Sequence, residues 1–243
     1  MTSGVEQKYT PTLEQQGAIQ MSTENKSFKL SAFAGSGKTS TLKLINEAKN
    51  NQKGIYLAFN KVIAIEAQKK FDQNVKCKTF HSLAYEGVPR FITDKLNNPR
   101  IMPSTLQSQL GLRNTNLAKA KDPKSSMQCS GYEQIFIIER AIKHFCQSNT
   151  TEPTIEQVMR AMPSWAHKDY CGGLAAKLLP HVHAYWSMAI SEKTDFKISH
   201  DIYLKYWAMT NPIIPFDYIL QDEAQDIDRL MLQILKNQNT QVI

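Results

Sequence analysis

The sequence predicts an α/β fold: a parallel sheet with helices packed on it, interrupted by a long and mostly helical insertion. Two observations point to the sheet and one to the insertion. Short apolar runs alternate with amphipathic stretches in the first third of the chain, and a further apolar run with a helical pattern behind it returns at Phe216 to Gln221. Between His81 and about Pro212 that alternation is lost, and helical patterns with polar breaks replace it.

Thr12-Leu13-Glu14-Gln15 is a capping-box sequence ahead of Ala18 and Ile19, so a helix begins near Thr12. Phe28 to Ala32 reads as a strand that stops at a glycine-bearing turn. From Thr39 the spacing of Leu42, Ile45 and Ala48 fits an amphipathic helix, and Gly54 separates it from a second strand, Ile55 to Phe59. A helix through Ile63, Ala67 and Phe71 and a third strand from Val75 to Phe80 repeat the cycle, an order that implies parallel pairing. In the insertion, Ile135, Ile138, Ile142 and Phe145 share one helical face. Ile155, Val158 and Met162 mark another helix, with Thr154 as its cap. The polar, lysine-bearing stretch Arg113 to Gly131 reads as an exposed loop or a linker. A helix through Ile227, Leu230, Ile234 and Leu235 follows the returning strand, and Thr240 to Ile243 opens another.

Bulk properties narrow the partners. At 243 residues the chain can bury a real core. Its net charge of +7 favours an acidic partner such as nucleic acid or nucleotide, although many basic proteins bind neither. No apolar run approaches membrane-spanning length, so no membrane partner is expected. The polar start, Met1 to Lys8, lacks the order of a secretory signal, and an intracellular location is expected. Cys77, Cys129, Cys146 and Cys171 are scattered and read as reduced thiols. His167, Cys171, His181 and His183 match no zinc spacing and read as packed or solvated side chains.

Two motifs carry chemistry. Ala32-Phe33-Ala34-Gly35-Ser36-Gly37-Lys38-Thr39, continuing into Ser40, matches the phosphate-loop template except that alanine replaces the first glycine. Its glycines let the backbone curl so that amide hydrogens point at phosphate, and the following helix adds its positive end. Lys38 supplies charge for the outer phosphates of ATP, and the Thr39 hydroxyl is suited to ligate Mg2+. The second motif is Gln221-Asp222-Glu223-Ala224-Gln225-Asp226, at the carboxyl end of the strand through Tyr218, Ile219 and Leu220, where ligands sit in open parallel sheets. Asp222 is the second candidate metal ligand, Glu223 the group that orients and deprotonates an attacking water, and Gln225 a sensor of the terminal phosphate. Lys38, Glu223 and Gln225 are thus the candidate catalytic residues.

Asp222 to Asp226 has the form aspartate, glutamate, any residue, glutamine, aspartate, and here the chain resembles the superfamily 1 helicases of the UvrD/Rep type. Further stretches follow in the same order. Gln15 stands where that family has the glutamine that recognises adenine, with a plain capping-box role as the rival reading. Leu57-Ala58-Phe59-Asn60-Lys61 resembles the family's first DNA-contact motif, although Phe59 directly precedes Asn60 where the family usually places one residue between them. Thr79-Phe80-His81-Ser82 resembles the next, in which hydroxyl and imidazole touch the backbone of the nucleic acid and an aromatic face stacks on a base. For His81 a buried structural histidine remains the alternative. The stretch Ile198 to Trp207, with Ala32-Phe33-Ala34 and Asp222-Glu223-Ala224, resembles the F-box DNA helicase branch in particular, without a recognisable F-box.

The resemblance implies a RecA-like ATP-binding domain formed by residues 1–85 and 213–243, with an inserted helical subdomain at 86–212. The distance from Lys38 to Asp222 far exceeds the roughly 30 residues of one strand-helix-strand unit, which independently calls for an insertion. Lys119, Lys121 and Lys124 are either phosphate contacts or solvated charges. The resemblance also implies ATP with Mg2+, single-stranded or partly duplex DNA, movement from 3′ to 5′, and a second motor domain. The chain ends at Gln241-Val242-Ile243, where that family continues toward a Gly-Asp motif, so a fragment or truncated product that binds Mg-ATP but turns it over poorly is expected. A non-catalytic nucleotide- or DNA-binding regulatory module is the alternative, and an ATPase unrelated to DNA is a third.

Overall fold

The computed structural model of the protein describes residues 10–33, 35–119 and 122–243, with the backbone alone at 118, 119 and 122–125. Met1 to Lys8, Ala34 and Lys121 therefore lie outside the described residues, as do the side chains of Lys119 and Lys124. The chain begins with α1 (Leu13–Thr23), α2 (Lys38–Ala48), β1 (Gly54–Leu57), α3 (Lys61–Gln68), β2 (Val75–Lys78) and α4 (Phe80–Gly87). Next come α5 (Arg90–Asp94), α6 (Pro103–Gln109), β3 (Thr115–Lys119), β4 (Asp122–Cys129) and α7 (Gly131–Cys146). It continues with α8 (Ile155–Arg160), α9 (Lys168–Ile190), α10 (His200–Met209), β5 (Tyr218–Gln221), α11 (Arg229–Lys236) and β6 (Gln241–Val242). Two compact units result. The first holds the chain up to Phe80 with Ile213–Ile227 and Leu235–Ile243, and the second holds His81–Pro212 with Asp228–Ile234.

The first unit is built on the predicted parallel sheet, in the order β2-β1-β5-β6. Strand β1 lies between its neighbours with Gly54 beside Val75 and Tyr218, and Leu57 beside Lys78 and Gln221. Every residue of β1 is buried, as expected of a parallel strand covered on both faces. Leu42 and Ile45 of α2, Ala64 and Ala67 of α3, and Tyr56, Tyr218 and Leu220 of the sheet form one core cluster. Gly54 is required by a close approach, because a Cβ there would come within 2.3 Å of the Tyr218 ring. Helix α1 starts as its sequence predicts: Thr12 Oγ1 accepts from Gln15 N, and Gln15 Oε1 accepts from Thr12 N.

Phe28 to Ala32 does not form the predicted strand. Phe28 N donates to Val242 O, but Val242 N donates in turn to the Ser27 hydroxyl. A side-chain oxygen thus takes the place of the carbonyl that would extend the ladder. The third strand and the helix before it are also shorter than predicted, ending at Lys78 and Gln68, and α11 begins only after Ile227.

The second unit is mainly helical. Capping boxes open α7 through Ser130 and Glu133, and α8 through Thr154 and Gln157. Ile138, Ile142, Phe145, Val158, Leu174, Leu178 and Val182 are buried, and Phe145 meets Trp186 edge-on at 5.0 Å between ring centroids. The predicted loop between Arg113 and Gly131 is instead the antiparallel hairpin of β3 and β4, with Leu117 opposite Met127 and Thr115 opposite Cys129. Backbone pairing and the burial of Leu117 and Cys129 hold it, so few apolar residues were needed and the alternation that marks a strand was absent.

Among the described residues of this unit, Lys95 and Lys205 are buried. Lys95 Nζ donates to Ala189 O at 3.0 Å and to Ser191 O at 2.5 Å, at the carboxyl end of α9. Lys205 Nζ donates to Ser148 O at 2.8 Å and Thr150 O at 2.6 Å, just beyond α7, and stands 4.4 Å from the centre of the Phe145 ring. Both satisfy carbonyls at or beyond a helix end that no helical N–H can reach, where a cation also meets the negative pole of the helix dipole. Among the described residues no helix is long and apolar enough to cross a membrane.

Candidate functional site

The loop between Ala32 and α2 takes its shape from two glycines in the left-handed region, Gly35 at φ 76° and Gly37 at φ 85°. Phe33 O accepts from both the amide and the hydroxyl of Ser36, which closes the turn. Gly37 is the N-cap of α2 and brings no side chain to it, so the first-turn amides have no capping oxygen of their own. Lys38 Nζ lies 3.4 Å from Ala32 O, folded back across the loop. Thr39 and Ser40 are exposed in the first turn, and the Phe33 ring is almost fully exposed. Thr41, one turn further in, is buried, and its hydroxyl donates to Gly37 O at 3.0 Å.

Gln15 ties α1 to this loop. Its Nε2 donates to Thr41 Oγ1 at 3.2 Å while its Oε1 caps α1, so the amide serves the helix cap and the loop's supporting threonine together.

The acidic motif sits at the carboxyl end of β5. Asp222 is 7% exposed; its amide donates to Leu57 O, its Oδ1 accepts from Glu223 N at 3.0 Å, and its Oδ2 accepts from the Tyr56 hydroxyl. Glu223 adopts φ 48°, a left-handed conformation that costs a non-glycine residue about 1 kcal/mol or more. That turn is held by Asp226 N on Glu223 O and by the Gln225 amide, which donates to Glu223 Oε2. Glu223 and Gln225, both singled out in the sequence, are therefore in direct contact. Tyr56 was missed. The signal was present, since a phenol inside the aliphatic run of a buried strand requires a polar partner.

The residues expected from the sequence to contact DNA are placed differently from one another. Phe59 is 60% exposed, whereas Phe80 is 3% exposed and its ring belongs to the core. A base can stack on the former and not on the latter. Asn60 caps α3, its Oδ1 accepting from Ile63 N at 2.9 Å. Thr79 is half-buried just after β2. In the second unit His81 is neither buried nor isolated: its Nε2 is 3.8 Å from Asp201 Oδ1, and its ring meets those of His200 and Tyr203 edge-on. The facing imidazole holds the Asp201 carboxyl below its ordinary range. Cys171 Sγ turns to the carbonyls of Ala166 and His167, and no group of three or more His, Cys, Asp or Glu among the described residues could hold a metal.

The chain is similar to known proteins. The chain is 28% identical over 232 residues to a protein from Gallus gallus called F-box DNA helicase 1, covering 88% of this chain and 21% of that protein. It is 26% identical over 220 residues to F-box DNA helicase protein 1 of Schizosaccharomyces pombe, covering 86% of this chain and 24% of the relative. The chain thus spans between a fifth and a quarter of the length of these relatives. No solved structure matches it. The family model described as AAA domain matches residues 15–243. With nearly all of its length inside that match, the chain belongs to the AAA domain family, in its UvrD/Rep-like helicase branch.

Proposed function

We propose that the chain is the ATP-binding portion of an ATP-dependent DNA helicase, acting with Mg2+ and moving along single-stranded DNA from 3′ to 5′. One observation carries the reading. A loop with two left-handed glycines runs into a helix opened by Lys38 and Thr39, in the same unit that carries a buried aspartate and a neighbouring glutamate at a parallel strand's carboxyl end. A Mg2+ ion bound with the nucleotide neutralises phosphate charge as it develops. The residues fit that ion, because the Thr39 hydroxyl and the Asp222 carboxylate are hard oxygen donors.

In this reading the amides of Gly35 to Thr39 cradle phosphate, and Lys38 exchanges its contact with Ala32 O for the outer phosphates. Glu223 takes the proton of the attacking water, and Gln225, already on the Glu223 carboxylate, couples that group to the terminal phosphate. Gln15 reads adenine as well as bracing the loop. In this proposal residues 1–85 and 213–243 form the nucleotide-binding domain, and 86–212 the inserted helical one. Phe59, with its ring exposed, stacks on a base, while Asn60, Thr79 and His81 contact the sugar-phosphate backbone. Such a protein works inside the cell.

Nucleotide binding followed with a fluorescent ATP analogue tests the first step. Lys38→Ala is expected to weaken binding about 100-fold, the usual consequence of removing one member of a charge-assisted pair. Unchanged affinity would overturn the proposal. ATP turnover by this chain is expected to stay low with and without single-stranded DNA, and robust DNA-stimulated turnover would overturn that expectation; binding of single-stranded DNA, expected to weaken in Phe59→Ala, tests the base contact.

A further inference from the structure

Strands β1 and β5 bring two tyrosines to one face of the sheet. Gly54 pairs with Tyr218 and Tyr56 with Leu220, so Tyr56, Tyr218 and, two residues past Leu220, Asp222 share that face. Both rings are buried, and each phenol ends on a polar atom. Tyr218 donates to Asn46 Oδ1 of α2 at 2.8 Å, a bond wholly inside the scaffold. Tyr56, 1% exposed, donates instead to Asp222 Oδ2. In this bond the phenol is the donor and the carboxylate the acceptor.

We propose that Tyr56 is a positioning residue that fixes the Asp222 carboxylate for the divalent cation accompanying the nucleotide, an inference that rests on the nucleotide-binding reading above. A carboxylate offers about four acceptor positions. The phenol holds one oxygen and the Glu223 amide the other, so the carboxylate plane has a single orientation and its remaining lone pairs serve the cation, directly or through water. Phenylalanine would keep the volume of the ring and remove that constraint. Loss of such a partner behind a metal ligand costs roughly 10- to 100-fold in metal affinity.

Tyr218 supplies the control, since its hydroxyl is as buried but serves Asn46. The affinity of the full chain for a fluorescent ATP analogue would be measured in EDTA and across a Mg2+ titration, for the wild type, Tyr56→Phe and Tyr218→Phe. Tyr56→Phe is expected to raise the Mg2+ needed for half-maximal enhancement about tenfold, with affinity in EDTA unchanged, and Tyr218→Phe to leave the Mg2+ midpoint in place. An unshifted midpoint in Tyr56→Phe, or an equal shift in Tyr218→Phe, overturns the role of Tyr56 alone. A wild type that binds no nucleotide removes the underlying reading too. Should Tyr56→Phe fail to fold, isotope-labelled tyrosine in the wild type decides the matter by NMR. The Tyr56 resonance moves when Mg2+ is added to the nucleotide-bound chain and that of Tyr218 does not, whereas a Tyr56 resonance indifferent to Mg2+ overturns the inference.

Discussion

Asp222 in the sheet unit and Lys205 in the helical unit are both buried charges, 7% and 1% exposed, satisfied in opposite ways. The ammonium of Lys205 has two carbonyls and the face of a phenyl ring around it, all parts of its own scaffold. On the Asp222 carboxylate the described donors are one phenol and one amide, at a strand end beside a glutamate held in left-handed backbone. A buried charge surrounded by scaffold closes a structural gap. One left with acceptor capacity at the carboxyl edge of a parallel sheet invites a ligand. The two residues should therefore fail differently when altered.

The largest effect on stability is expected from Lys205→Met, which keeps the aliphatic stem and leaves the Ser148 and Thr150 carbonyls without their charged donor. Buried acceptors left without a donor cost about 1–3 kcal/mol each, partly offset because the burial cost of the ammonium is also removed, so a net loss of about 2 kcal/mol in unfolding free energy is expected. Nucleotide affinity should not change. Chemical denaturation paired with nucleotide titration checks both, and a variant that weakens nucleotide binding while keeping its stability would break the contrast with Asp222.

A pH series sharpens the same contrast. Burial lowers the Lys205 ammonium from its ordinary 10.5 to about 8. Between those values the unfolded chain holds the proton and the folded chain has released it, so this residue makes stability rise with pH across that window, and below it the charge is buried at a cost. The quantity to measure is the difference in unfolding free energy between the wild type and Lys205→Met from pH 7 to 10.5. It should move in favour of the wild type as pH rises through the window, and a flat difference would contradict burial as the source of the shift.

The two units were also unequally legible in the sequence. The turn at Gly35 and Gly37 and the helix that Lys38 opens form within a few residues of one another, so order and spacing alone made their conformation legible. The bond between Tyr56 and Asp222 spans 166 positions and exists only because β1 and β5 pair in one register, which no local pattern encodes. In the helical unit α7 and α8 were readable from their apolar faces and caps. The β3–β4 hairpin was not, because backbone pairing holds it and its polar residues carry no two-residue alternation. Phe80 shows the remaining gap, since whether an aromatic side chain packs inward or faces solvent depends on the elements that close over it.

Gln15 stands between the two kinds of residue, and its replacement carries the smallest expected change in stability. Its carbonyl oxygen caps α1 and its amide nitrogen reaches Thr41, whose hydroxyl also donates to Gly37 O at the N-cap of α2. Gln15→Ala removes both bonds, and loss of a cap costs about 1 kcal/mol. If Gln15 acts only as a brace, affinity for ATP and for GTP should fall together as the loop loosens. If it also reads adenine, ATP affinity should fall further than GTP affinity, because the guanine edge presents the opposite donor and acceptor pattern. Competition between the two nucleotides in wild type and Gln15→Ala separates these outcomes, and equal losses would withdraw the adenine-reading role while leaving the brace intact.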